Sequence, residues 1–253
     1  SDNNTAVGRS ALSVNTTGTQ NAAVGSSSLA ANTTGSGNVG LGYRALSANT
    51  TADANVAIGI DTLLSNTTGG GNVAVGGYTL DASTTAAHNT ALGYGVMTAT
   101  TTGSYCTAVG REALAAHTTG ADNNAVGYGC MVALTTGTNN TAMGNSALAS
   151  VTTTAGNTAI GKVALQANVG SYNTALGYQA LQTNTTASYN VGVGYLALAA
   201  NTTGSPNVAV GSYALDANTT GNYNTGIGHG ALGGNTTAHN NTAVGYTALV
   251  ANT

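Results

Sequence analysis

This chain is built on a repeat whose central glycine recurs every seventeen residues from Gly8 to Gly245, with one sixteen-residue step between Gly161 and Gly177. A short fixed period over a whole chain is typical of solenoids, in which each unit contacts mainly its neighbours. We therefore predict an all-β fold, a parallel β-solenoid or β-roll of about fifteen seventeen-residue coils. The repeat predicts one repetitive domain over residues 1–253, which we interpret as a section of a longer fibre.

We number each repeat from its central glycine, which is position 0. Position −4 is asparagine in all repeats but one, −2 is Ala or Gly, and −1 is aliphatic or Met. Side chains alternate in a strand, so positions −4 to 0 predict a short strand with a larger apolar face and a very small face. Position +4 is Leu or Met, close to an Asn-Thr-Thr-Gly turn at +7 to +10. A helix has too little room there, and we expect a second short strand or extended edge.

In-register stacking places identical residues above one another. We predict that the apolar columns at −1 and +4 form the core and that the −4 asparagines form a side-chain ladder. We also expect the small Asn/Ala/Gly face to associate with another copy, because it lacks charge and bulk. The predicted core comprises Val7, Leu12, Val24, Leu29, Ile58, Leu63, Val75, Leu80, Val109, Leu114, Ile160, Leu165, Val210 and Leu215. The predicted ladder comprises Asn4, Asn21, Asn38, Asn55, Asn72 and Asn89.

Composition argues against several classes of function. Four basic and seven acidic residues are scattered along the chain, which leaves no basic track for nucleic acid and no paired carboxylates for catalysis. Apolar stretches are short, so we expect no membrane contact by this segment. The four histidines occupy four different repeat positions, and we expect surface substitutions, with no metal site and no cofactor. The two cysteines, Cys106 and Cys130, are expected to be buried thiols.

Two sets of polar side chains are candidates for surface binding or modification. Position +1 is variable and rich in tyrosine, which could stack on glycans or partner proteins, or else on its own neighbours to stiffen the coil stack. Threonine rows at +8 and +9 resemble those of ice-binding β-solenoids. The candidates are Tyr43, Tyr94, Tyr128, Tyr178, Tyr195, Tyr246, Thr16, Thr33, Thr50 and Thr67. Asn-Thr-Thr is also an acceptor pattern for N-glycosylation, and exposed threonines could carry glycans.

The run Asn-Thr-Ala-Val-Gly-Tyr-x-Ala-Leu at residues 241–249 resembles the head repeats of YadA-like trimeric autotransporter adhesins and related phage tail-fibre repeats. The shared Ala-Val/Ile-Gly-x-x-Ala core extends over essentially the whole chain, as in residues 159–164. The resemblance implies a left-handed parallel β-roll in which three chains associate along a fibre.

From the repeat and this resemblance together we predict a non-enzymatic, structural or adhesive fibre or stalk that is extracellular, on a cell surface or on a virion. Its expected partners are further copies of itself, in a trimer or filament, and surface glycans or other host-surface molecules. An ice-binding β-solenoid that uses its threonine rows is the alternative.

Overall fold

The computed structural model describes residues 2–252 and has one three-residue strand in each repeat. The strands are β1 (Thr5–Val7), β2 (Ala22–Val24), β3 (Val39–Leu41), β4 (Val56–Ile58), β5 (Val73–Val75), β6 (Thr90–Leu92), β7 (Thr107–Val109), β8 (Asn124–Val126), β9 (Thr141–Met143), β10 (Thr158–Ile160), β11 (Thr174–Leu176), β12 (Val191–Val193), β13 (Val208–Val210), β14 (Thr225–Ile227) and β15 (Thr242–Val244). The predicted all-β parallel solenoid is confirmed.

The chain divides into two compact units, the first ending at Asn123 and the second beginning at Asn124. In the first unit β1 to β7 pair in sequence order, and in the second β8 to β15 do the same, always parallel and in register. The shortened repeat keeps this register, since Thr158 lies opposite Thr174. The deletion falls in a turn and leaves both strand faces unchanged. A single domain over residues 1–253 stays a prediction.

The predicted second strand around +4 is wrong, because this part of each repeat is a series of turns. The residue at +2 has a φ of 49–64° and the residue at +4 has a φ of 49–54° in every repeat. In many repeats the N–H at +3 donates to the carbonyl of the central glycine, as from Ala45 to Gly42 at 3.4 Å. A positive φ at the third residue of such a turn is the geometry of a type II turn. Left-handed residues cannot continue a strand, so the chain bends instead.

The leucine at +4 is in this unusual conformation because it forms the centre of the coil. Leu29, Leu63, Leu114, Leu165 and Leu215 are fully buried. The left-handed conformation costs roughly 1–2 kcal/mol for a residue with a side chain. Burying a leucine contributes about 1.5–3 kcal/mol. Burial therefore offsets the backbone strain, and the bend points each leucine inward.

The predicted role of the aliphatic residues at −1 is wrong, because they lie on the outer face of the strands. Inward positions are −4, −2 and +3, where Asn, Ala and other small residues are almost all buried. The narrow coil has room for these small groups opposite the leucine, whereas a second layer of branched side chains would overfill it. The residues corrected from core to partly or fully exposed are Val7, Val24, Ile58, Val75, Val109, Ile160 and Val210. Leu12, in the first coil, is also only partly buried.

Two ladders of asparagine make the core polar as well as apolar. At −4, Asn38 accepts a 3.0 Å hydrogen bond on Oδ1 from the backbone N–H of Asn55 in the next repeat. At +7, Asn49 donates from Nδ2 to Oδ1 of Asn32 at 2.8 Å. Asn38 and Asn49 also donate to the same carbonyl, that of Ala52, at 2.8 and 3.1 Å. The two ladders therefore join coil to coil and also brace each coil across its interior.

The central glycine permits the close approach of neighbouring coils. Its φ is 119–141° in every repeat, a range that L side chains rarely adopt. A Cβ added at Gly144 would lie 2.5 Å from the carbonyl oxygen of Gly161 in the next coil. The added Cβ would meet backbone atoms, which cannot move aside as a flexible side chain could. The glycine column therefore sets the spacing of the stack.

We predict that Gly144→Ala lowers the free energy of unfolding by about 3 kcal/mol or more, through clash and backbone strain together. Gly129→Ala is the matched control, because its φ is 57° and an added Cβ would have its nearest neighbour at 3.9 Å. It should cost roughly 1–2 kcal/mol, the price of the left-handed conformation alone. Chemical denaturation of both variants checks the difference, and equal losses would contradict the close-approach account.

Candidate interaction surface

The outer face of the strands, which we call the strand face and define as positions −3 and −1, carries an exposed apolar column at −1. Met143, Ile160 and Val210 on this face are 49%, 40% and 37% exposed. Position −3 is mostly Thr or Val and is partly exposed in most repeats. Column −1 has no charged side chain in any repeat. An uncharged surface that carries a repeated column of exposed apolar side chains is unusual on an isolated soluble protein.

The small Asn/Ala/Gly face, expected to associate with another copy, instead lies inside the coil. Asn38, Ala57 and Ala74 have no exposed surface. The prediction of that face as an interface is therefore wrong. The asparagine amides are used within the chain by the two ladders, and the exposed apolar surface is the opposite, aliphatic side of the same strands.

Two exposed aromatic columns border the strand face. One is the predicted column at +1, where Tyr94 and Tyr128 are 56% and 49% exposed. The other, at −5, was not predicted from the sequence and includes Tyr105, Tyr172, Tyr189 and Tyr223. A tyrosine directly before the −4 residue marks this column in the sequence, but the other repeats carry Asn, Gln, Gly, Ala, His, Asp or Pro at that position.

Many of the aromatic rings pack on one another from coil to coil. Tyr178 and Tyr195 stack with ring centroids 5.6 Å apart and an interplanar angle of 10°. Tyr195 also meets Tyr213, which lies at +2 of the next repeat, edge to face at 5.3 Å, and a side-chain hydrogen bond with Tyr213 raises the pKa of Tyr195. His229 and Tyr246 stack at 5.3 Å. Stacked rings cover part of each other's faces, which favours the stiffening role over stacking on glycans.

Arg44 is another partner of the +1 column. Its guanidinium carbon lies 4.9 Å from the ring centroid of Tyr43, and its Nε and Nη2 donate to both carboxylate oxygens of the buried Asp61 at 2.8 and 2.7 Å. A bidentate pair of this kind fixes the arginine between neighbouring coils.

The two threonine rows differ in their surroundings. Threonines at +8 donate from the hydroxyl to the carbonyl of the same position in the next coil, as from Thr33 to Thr50 at 3.1 Å. Thr16, Thr50 and Thr67 do the same. Threonines at +9, such as Thr34 and Thr51, are exposed. The surface therefore presents one row of hydroxyls to solvent, while the other row helps to hold the coils together.

The asparagines of the Asn-Thr-Thr patterns are in the +7 ladder. Asn32, Asn49, Asn66, Asn201 and Asn218 are fully buried, and their Nδ2 atoms donate hydrogen bonds in the core. A glycan on Nδ2 would have to leave this core. N-glycosylation at these positions is therefore incompatible with the folded coil.

The +7 ladder is interrupted by five consecutive other residues, Ser83, Thr100, His117, Leu134 and Val151. Where it stops, Oδ1 of Asn66 and Oγ of Ser83 are buried without a hydrogen-bond partner. His117 is buried, which corrects the expectation that the histidines are surface substitutions. Its Nδ1 lies 3.0 Å from Oγ1 of Thr100 and its Nε2 lies 3.9 Å from Sγ of Cys106.

Burial determines the charge state of this cluster. It lowers the pKa of His117 and raises the pKa of Cys106, so a neutral imidazole faces a neutral thiol. Cys130, the other buried cysteine, donates to the carbonyl of Ala142, and burial raises its pKa to about 12. Protonated thiols are poor nucleophiles, which favours a packing role for both cysteines.

Among residues 2–252 no group of three or more His, Cys, Asp or Glu side chains could hold a metal ion. The same part of the chain contains no cavity for a small molecule and no helix that could span a membrane. No known protein family, curated protein sequence or solved structure matches this chain. The strand face and its aromatic borders are therefore the candidate functional surface.

We predict that acidification destabilises the first unit through His117. Its pKa is lower in the folded chain than the ordinary 6.5, so the unfolded state binds the proton more readily. The contribution of neutral His117 is complete above about pH 6.5 and is lost as the pH falls below that value. Denaturation of the wild type and of His117→Asn between pH 7.5 and about pH 5 measures the difference.

The asparagine variant replaces a titrating group with the residue that occupies +7 in most repeats. Asp81 and Asp216, whose pKa values burial raises, are present in both proteins, so their titration cancels in the comparison. The stability gap should widen in favour of His117→Asn as the pH falls. A gap that is constant with pH would show that burial of the imidazole does not affect its protonation.

Proposed function

We propose that this chain is a structural or adhesive segment of an extracellular fibre or stalk, in which copies associate through the strand face. The observation that supports this most directly is the column of apolar side chains at −1, which is repeated in every coil and is partly or fully exposed throughout. Covering apolar surface contributes roughly 25 cal/mol for each Å² removed from water, and a repeated column adds this gain coil after coil. A second copy offers the same column in the same register.

The chemistry of the strand face fits a like partner better than a charged one. Leu41, Ile160, Val210 and Ile227 offer shape and apolar area, with no charge to pair. The backbone polar groups of the strands are used in coil-to-coil hydrogen bonds, such as Val39 to Asn55 at 2.8 Å. Association would therefore be side chain against side chain. We propose a trimer or a larger filament, at a cell surface or on a virion.

Adhesion is the second part of the proposal. The aromatic columns border the strand face, and tyrosines such as Tyr94 are exposed side chains with a polar hydroxyl at the tip. These hydroxyls could donate to glycans or to other host-surface molecules along the outer edges of an assembled fibre. Because rings are stacked within the columns, we propose contacts through hydroxyls and ring edges rather than through ring faces.

Light scattering at several concentrations tests the association. We predict a stable trimer or larger assembly for the wild type and dissociation for Ile160→Lys, because its exposed side chain would place an unpaired charge in the interface. The dissociation constant should rise on the order of tenfold or more. Thr153→Lys is the matched control, since it adds the same charge at an exposed +9 turn. Circular dichroism establishes that both variants remain folded.

A wild-type monomer at all concentrations would overturn the self-associating fibre. An assembly that Ile160→Lys leaves intact would place the interface elsewhere on the surface.

An ice-binding solenoid is the second candidate function, and the +9 threonine row favours it. Thr34, Thr51 and Thr68 are exposed in successive coils and present hydroxyl and methyl groups at a regular interval. A monomeric wild type that slows ice growth, and loses that effect in Thr51→Lys, would establish this function in place of the fibre.

A further inference from the structure

Four tyrosines bracket a single pair of strands, β11 and β12. Tyr172 and Tyr189 lie two residues before these strands, and Tyr178 and Tyr195 lie two residues after them. The leading pair stacks with ring centroids 5.3 Å apart at an interplanar angle of 11°. The trailing pair stacks at 5.6 Å and 10°. The same two coils therefore hold two nearly parallel phenol pairs, one on each side of the strand face.

All four rings are open to solvent. Tyr172 and Tyr189 are 55% and 62% exposed, and Tyr178 and Tyr195 are 41% and 43% exposed. A reagent in solution can reach each of these side chains without opening the coil. The in-register pairing of β11 and β12 keeps the members of each pair together.

Other aromatic pairs do not combine these properties. Tyr78 and Tyr94 meet edge to face, with an interplanar angle of 76°, and so do Tyr195 and Tyr213, with an angle of 70°. His88 stacks on Tyr105, but an imidazole is not a phenol. Tyr223 is 65% exposed, with Pro206 and Asn240 at the same position in the adjacent repeats. These sites serve as internal comparisons.

The position of the tyrosine pairs next to the shortened repeat is a second observation. Tyr172 lies in the shortened repeat, in which Val169-Gly170 stands where other repeats have two threonines and a small residue. One threonine hydroxyl that would link adjacent coils at +8 is therefore missing. The tyrosine pairs occur at the coils that follow this shortened turn.

We propose that these pairs are sites of oxidative cross-linking, in which Tyr172 couples to Tyr189 and Tyr178 couples to Tyr195. The co-reactant is a peroxide acting through a haem peroxidase. Each phenol loses one electron and one proton, and the two phenoxyl radicals form a carbon–carbon bond between ring carbons ortho to the hydroxyls. The two ring hydrogens then move to the oxygens and restore both phenols. Each cross-link thus releases two hydrogen atoms, which reduce one peroxide molecule to two of water.

Proximity makes the coupling selective. Two radicals held in adjacent positions react at an effective concentration far above that of chains in solution. The product is a covalent staple between neighbouring coils that closes a loop of about seventeen residues, as a disulfide would. Two staples on one strand pair would hold it closed against local opening. The inference does not depend on association between copies.

The test is oxidation of the full chain with hydrogen peroxide and a haem peroxidase. An equal mixture of ¹⁵N-labelled and unlabelled chains is treated, digested and searched by mass spectrometry for cross-linked peptides. We expect the 172–189 and 178–195 peptides as all-light or all-heavy species, on the order of tenfold or more above other tyrosine pairs. Tyr189→Phe should remove only the first product. Tyr223→Phe, the control at the same repeat position, should leave both.

Three results would overturn the proposal. Mixed light and heavy peptides at about half of the cross-linked product, the share that random pairing in an equal mixture gives, would show that the coupling is between chains. Products spread evenly over tyrosines without a stacked partner would show that stacking does not direct the reaction. An unchanged 172–189 product in Tyr189→Phe would show that the phenol at 189 is not the reacting group.

Discussion

Hydrogen bonding by buried asparagine is the interaction on which this structure depends. A coil with so little interior could not close around an apolar core alone, since its turn carbonyls would be left without partners. Asn38 and Asn49 both donate to the carbonyl of Ala52 and so satisfy it from inside the coil. The amide oxygens then accept from the next repeat, which links each coil to its neighbour. The same side chains therefore close the coil and stack it.

The glycine and leucine columns follow from that polar interior. Asparagine, alanine and glycine occupy little space, so one leucine at +4 suffices to fill the remainder. The bend at +2 and +4 points this leucine inward, although its φ of about 50° is unfavourable for a residue with a side chain. The central glycine allows the adjacent backbone to approach closely. Side chains too large for this interior, the aliphatic residues at −1, are left on the outer face.

Periodicity alone predicted the fold class, the parallel stacking and the coil length. The prediction of which strand face points inward was wrong. Hydrophobic patterning favours burial of the larger apolar side chains, and Val24 and Ile160 follow that pattern but lie outside. The range of residue types at each position does indicate the inward face. Position −1 accepts Val, Ile, Leu or Met, whereas −4 is nearly restricted to Asn and −2 to Ala or Gly. A packed interior restricts size more strictly than an outer face does.

The most direct test of this account is the exchange of asparagine side-chain amide protons, measured by NMR on a chain labelled with ¹⁵N-asparagine. Buried Nδ2 groups at −4 and +7, including those of Asn38, Asn49, Asn207 and Asn218, donate to the chain and should exchange far more slowly than the exposed amide of Asn139. Exchange of all asparagine amides at the rate of Asn139 would place them in water and contradict the polar core.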